Sequence, residues 1–233
     1  MASSACETLA LPGGPARIEW RRSARARRVS LRIDPRGGSV VVTLPARAAR
    51  TVGMTLLMDH ADWVSQRLAA LPGAVSFVPD AMVPLHGAAH RIRHAPDARG
   101  AAWIEPGEIV VAGDIAFLPR RVADFLRAEA RSRFSALVRF KAQAAGVQAS
   151  RVSVKDTRSR WGSCAANRNL AFSWRLVMAP RYVQDYVAAH EVAHLRHMNH
   201  GPQFWALVRD LTVHTESACA WLRAEGPRLL RIG

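Results

Sequence analysis

A chain of 233 residues, 49% hydrophobic and 22% charged, has the length for one large core or two small ones and an ordinary folded composition, which excludes disorder over most of it. No apolar run approaches the ~20 residues of a bilayer crossing, and residues 1–14 lack a basic segment followed by an apolar one, so no membrane contact and a cytoplasmic location are expected. The formal net charge of +15 either marks a surface that attracts nucleic acid by counterion release or reflects arginines spread over solvated faces.

Lys141 and Lys155 are the only lysines, and the one compact basic run is Arg21 to Arg32. Cys6, Cys164 and Cys219 form no C-x-x-C pair, which excludes a disulfide framework and a cysteine zinc cluster and fits a reducing compartment. Cys164 is read as structural.

In chain order, residues 1–16 are small and contain Gly and Pro, and they read as a loose tail. Val29, Leu31 and Ile33 alternate with polar residues, and Val40 to Leu44 resumes after Pro35-Arg36-Gly37-Gly38, so a hairpin is expected with Arg28, Ser30 and Arg32 on its solvent face. Pro45 to Leu71 reads as one helix closed by Pro72-Gly73. Short strands around Met82 to Leu85, His90 to Arg93 and Ile109 to Val111 are expected to extend the first sheet. From Pro119 to Ala145, Val122, Phe125, Leu126, Ala130, Phe134, Leu137, Val138 and Lys141 follow a period near 3.6 and predict a helix. Val152 to Val154 and Leu170 to Leu176 read as strands, and Pro180 opens a helix expected to reach Met198. No internal repeat is visible.

That last helix carries His190-Glu191-Val192-Ala193-His194, an H-E-x-x-H pattern. Two histidines four apart share a helix face, so their ring nitrogens can converge on one ion at ~2.0 to 2.1 Å while the intervening Glu191 reaches metal-bound water. Water so bound loses its proton near neutral pH, and Glu191 can accept that proton and pass it to a leaving amine. A third ligand is expected downstream. His197 shares the face but lies roughly 10 Å of helix rise from His190, too far for one ion. His200 fits better, because Asn199 and Gly201 tolerate a left-handed exit and Pro202 discourages continuation. Asp210, His214, Glu216 and Glu225 are the alternatives, and His197 reads either as a residue lining the cleft or supporting a ligand, or as a partly buried histidine with no part in the site. Tyr182, Val183, Tyr186, Val187 and Ala189 read as core, and Phe204 and Trp205 as packing against the site.

Four elements in order, Arg160-Trp161-Gly162-Ser163-Cys164, then Pro180, then His190 to Leu195, then Asn199-His200-Gly201-Pro202-Gln203-Phe204-Trp205, resemble the YgjP-like metallopeptidases. These are part of the wider zincin group that includes the SprT-like proteases. The resemblance extends more weakly over Arg28 to Ile33, Val40 to Pro45 and Trp63. It implies a zincin-like catalytic lobe with one zinc ion per chain on His190, His194 and His200, and Glu191 as catalytic base. The chain departs from the family at Phe172-Ser173-Trp174, where an Asn is expected, and at Gly201, where a Ser is common after the histidine.

The expected fold is thus α+β: a tail over 1–16, a β-rich lobe with a long helix over 17–118, and a zincin-like lobe over 119–233. Arg160, Trp161, Gly162 and His197 are candidate substrate-binding residues, with Trp161 either bordering the cleft or plugging the core. Arg158, Arg160 and His197 are candidates for stabilising an oxyanion. The leading function is a zinc peptidase acting on proteins or peptides; the alternatives are a SprT-like protease for proteins on nucleic acid, and a nonenzymatic zinc-containing module that binds nucleic acid.

Overall fold

The computed structural model describes residues 4–157 and 160–233, and Arg158 therefore lies outside the described residues. The chain is a mixture of helices and small sheets, as an α+β reading requires, and divides into two compact units between Gly73 and Ala74.

In the first unit, strands β1 (Ser4–Leu11), β2 (Gly14–Ser23), β3 (Ser30–Asp34) and β4 (Ser39–Pro45) form a sheet in the order β1-β2-β4-β3. The expected hairpin is β3 with β4. The supposed tail is instead a strand from Ser4 onward, because Ala16, Ile18 and Trp20 alternate inward on β2 and give β1 an antiparallel partner. Trp20 Nε1 donates to Glu7 on β1 at 2.7 Å.

The single helix expected over Pro45 to Leu71 is two, α1 (Arg50–Asp59) and α2 (Ala61–Ala69). At the break, the backbone N–H of His60 turns to Met58, and the ring Nδ1 of His60 instead donates to the Leu56 carbonyl at 3.0 Å, replacing the ladder bond. Leu57, Ala61 and Val64 still reach one core with Ile18, Val42 and Leu44. A Cβ on Gly53 would stand 2.8 Å from Trp20, so α1 lies directly on the sheet there. The basic run follows the end of β2, the connecting loop and β3, with Arg28 and Ser30 exposed and Arg32 half-buried.

In the second unit, β5 (Met82–Leu85), β6 (Ala88–Ala95), β7 (Ala102–Glu105) and β8 (Glu108–Ala112) make a sheet of their own in the order β5-β6-β8-β7, rather than extending the first. Helix α3 (Leu118–Ala144) follows it. The expected boundary at 118/119 thus falls inside one unit: Val83, Leu85, Ile92, Ile109 and Val111 share a core with Leu118, Val122 and Leu126 of α3. Both four-stranded sheets run antiparallel, parallel, antiparallel between successive neighbours, a repeat of topology that the sequence hides because strands demand only alternating apolar residues.

A three-stranded sheet, β10 (Gly162–Cys164), β11 (Asn169–Ser173) and β9 (Arg151–Lys155), places β10 at its edge. Phe134 of α3 stacks on Phe172 of β11 with ring centroids 4.5 Å apart. The expected strand to Leu176 ends early, since Trp174–Met178 coils into a short 3-10 helix. There the buried Arg175 pairs with Asp156 and lies over the Trp174 ring. Phe172 and Trp174, the family departure, are core residues. Helix α4 (Arg181–Ala193) then packs against α3, α5 (Pro202–Leu211) and α6 (Thr215–Leu229). No helix among the described residues is long and apolar enough to cross a membrane.

Candidate metal centre

Helix α4 ends at Ala193, five residues earlier than expected, yet His194 keeps helical angles and its N–H donates to the His190 carbonyl at 3.3 Å. His190 and His194 therefore do share a face. The chain leaves the helix in tight turns, so no left-handed residue is needed: Gly201 is extended, with φ −74° and ψ −179°, and Asn199 is not at positive φ. Pro202 begins α5, and the turn before it returns His200 to His190.

The three imidazoles meet. Ligand-capable nitrogens of His190, His194 and His200 all lie within 4.8 Å of one another, and His200 Nε2 stands 3.2 Å from His190 Nε2. Two nitrogens bound tetrahedrally at the usual length would be about 3.3 Å apart, so the pair fits one ion. His194 Nδ1 donates to the His197 carbonyl at 3.1 Å, which puts the proton on Nδ1 and leaves the Nε2 lone pair free. His197 thus supports the cluster through its backbone. Asp210, His214, Glu216 and Glu225 do not join the cluster among the described residues.

Phe204, wholly buried at the start of α5, underlies all three rings, with centroid distances of 5.0, 4.6 and 4.7 Å to His190, His194 and His200. Trp205 flanks His190 and His200. Burial, reinforced by the charges of His194 and His200, lowers the His190 pKa to about 4 and keeps that ring neutral. Burial also lowers that of His194.

Glu191, on the same helix, is 5% exposed, and burial pushes its carboxyl up to about 7 against the opposing charge of Arg160. Its Oε2 is buried without a hydrogen-bond partner among the described residues. The carboxyl rests on Gly162: a Cβ there would stand 2.6 Å from Glu191 Cγ and 2.7 Å from Cδ.

A cavity of about 380 Å³ opens on this carboxyl between Trp161, Tyr186, Leu222, Arg160 and Arg223. Three of the candidate substrate-binding residues, Arg160, Trp161 and Gly162, line it, and His197 does not. Trp161 both lines the cavity and packs against the core, passing so close to Gly226 that a Cβ there would stand 3.0 Å from its ring. Sequence reasoning assigned Tyr186 to the core alone and missed Cys219, Leu222 and Arg223, whose positions on α6 carry no local motif. Burial raises the Cys164 thiol pKa, and the Glu191 charge adds to this.

The YgjP-like metallopeptidase domain model matches residues 27–225. The chain belongs to this family. Its membership makes the chain a metal-dependent peptidase by family, and the triad is a set of residues that could hold the metal. No curated protein and no solved structure matches the chain.

Proposed function

We propose that the chain is a zinc-dependent peptidase with a zincin-like site, in which His190, His194 and His200 hold one zinc ion and Glu191 is the general base. The observation that carries this reading is the convergence of three imidazoles beside a buried carboxyl that faces a cavity. No fourth His, Cys, Asp or Glu joins the triad among the described residues, which favours an open coordination position and catalysis over a closed structural site.

Zinc, when bound, supplies a Lewis acid that polarises a carbonyl and acidifies water. The chain's own residues do the rest. His190 and His194 stay neutral and so keep their lone pairs for the ion. Glu191, its carboxyl pushed up to about 7 by burial, takes a proton from water in the cavity and returns it to the leaving amine. The edge strand β10 offers backbone groups to an extended peptide, and Gly162 lets that strand lie against the carboxyl. Arg160 stands at the cavity wall as the cation for a developing oxyanion.

The test is Glu191→Gln, assayed by zinc content and by hydrolysis of a fluorogenic protein substrate. The variant should keep its zinc and lose roughly 10²- to 10⁴-fold in kcat. Undiminished hydrolysis would defeat the assignment.

A further inference from the structure

At the N-terminal end of α4 lies a second polar cavity, of about 550 Å³, lined by His86, Arg133, Arg181, Tyr182, Asp185 and His214. The turn between β5 and β6 is His86-Gly87, with φ of 53° and 88°, a primed turn that Asn-Gly or Asp-Gly usually fills. Its N–H groups are fixed by the carbonyls of Val177 at 2.7 Å and Met178 at 3.1 Å. A histidine held in this left-handed position places its ring against Gln184, which is wholly buried on α4.

Gln184 holds two cavity residues at once. Its Oε1 accepts from Arg133 Nε at 3.0 Å, while its Nε2 donates to the carbonyls of Ala179 at 2.8 Å and Val177 at 3.1 Å. These partners fix which end of the amide is which. Those two carbonyls use both hydrogens of Nε2, and the His86 Nδ1 lies 3.1 Å from the same nitrogen. Only the Nε–H of Arg133 is used, so both of its terminal nitrogens, like the whole guanidinium of Arg181, lack a protein partner among the described residues.

The one carboxylate in the cavity, Asp185, attracts Arg133 but spends its hydrogen bonds elsewhere. Asp185 Oδ1 is 2.7 Å from Lys141 Nζ, and its Oδ2 accepts from Thr212 Oγ1 at 2.6 Å. Burial and the charge of Arg181 lower the Arg133 pKa against the opposing charge of Asp185; burial and both arginines lower that of His86. Two guanidinium groups face one carboxylate that already pairs with Lys141, which leaves positive charge in excess, and the first turn of α4 points its dipole the same way.

We propose that this cavity binds a phosphate group, with Arg133 and Arg181 as its paired cationic donors. Guanidinium groups match phosphate oxygens with paired N–H bonds, which suits them to this anion. Arg181 and His190 are nine residues apart on the helix, about 13 Å along its axis, so the site is separate from the histidine triad.

Calorimetric titration of the intact protein with sodium phosphate and, separately, with a nucleoside monophosphate tests this, using sodium chloride at matched ionic strength as reference. Saturable one-site binding is expected for at least one phosphate, and the tighter of the two identifies its source. Arg181 is exposed and can be replaced without disturbing the core. Arg181→Ala should weaken binding about 10- to 100-fold, whereas Arg151→Ala, at an exposed position on β9, should not. The proposal is overturned if neither phosphate binds saturably, or if Arg181→Ala binds as tightly as the parent.

Discussion

Gly162 and Glu191 are packed so closely that no side chain can stand between them: a Cβ on Gly162 would come 2.6 Å from Glu191 Cγ. The edge strand and the helix carboxyl therefore share one position in space. Gly162→Ala should move one or the other, costing about 1–3 kcal/mol by overpacking and lowering peptide turnover more than zinc affinity. Denaturant unfolding, zinc titration and kinetics on the same variant check this; unchanged stability and turnover would show that the contact is not constraining.

The two downstream histidines should behave differently. His200 offers a ring nitrogen to the cluster, whereas His197 contributes its backbone carbonyl. His200→Ala should weaken zinc binding by more than the roughly 100-fold that loss of an outer partner costs, and His197→Ala by far less. Competition against a zinc chelator measures both, and equal losses would refute the distinction.

Lys141 is 3% exposed, donates to the Leu211 carbonyl at 2.8 Å and pairs with Asp185. Lys141→Met keeps the stem but removes the cation from that carbonyl and leaves Asp185 with Thr212 as its hydrogen-bond partner. The expected loss is about 3 kcal/mol, at the low end for a broken buried pair because Asp185 is partly solvated. A denaturation midpoint that does not move would show the pair to be dispensable.

Cys164 should be a poor nucleophile. The thiolate reacts, and burial together with the Glu191 charge raises the thiol pKa, so the thiolate forms only at higher pH in the folded protein. Alkylation of Cys164, followed by peptide mass spectrometry, should reach half its maximal rate at a higher pH in the native chain than in urea. Coincident profiles would contradict the shift.

Much of the site was legible because its logic is local. The four-residue spacing of His190 and His194 needs only a helix; Pro202, expected to discourage its continuation, instead opens α5, since α4 has already ended at Ala193. Lys141 fell on the apolar stripe of α3 by period alone, although its partner Asp185 could not be read from spacing. What escaped was non-local. Ala16, Ile18 and Trp20 alternate plainly, but the Gly and Pro residues before them suit a loose tail as well as the tight turn between two strands that they form. His60 broke a helix with its ring rather than with a recognised breaker. A Gly beside Trp161 suggested close approach, yet only the fold reveals that Glu191 is what approaches. The cavity around His86, Arg133 and Arg181 draws on β5–β6, α3, α4 and the start of α6, so no single window of sequence contains it.

The central claim is that His190, His194 and His200 grip one divalent ion. Elemental analysis of the folded, zinc-titrated protein tests it most directly. One equivalent of zinc should remain after dialysis in the parent chain and be lost in His200→Ala. Properly folded parent protein that retains no zinc would contradict the account.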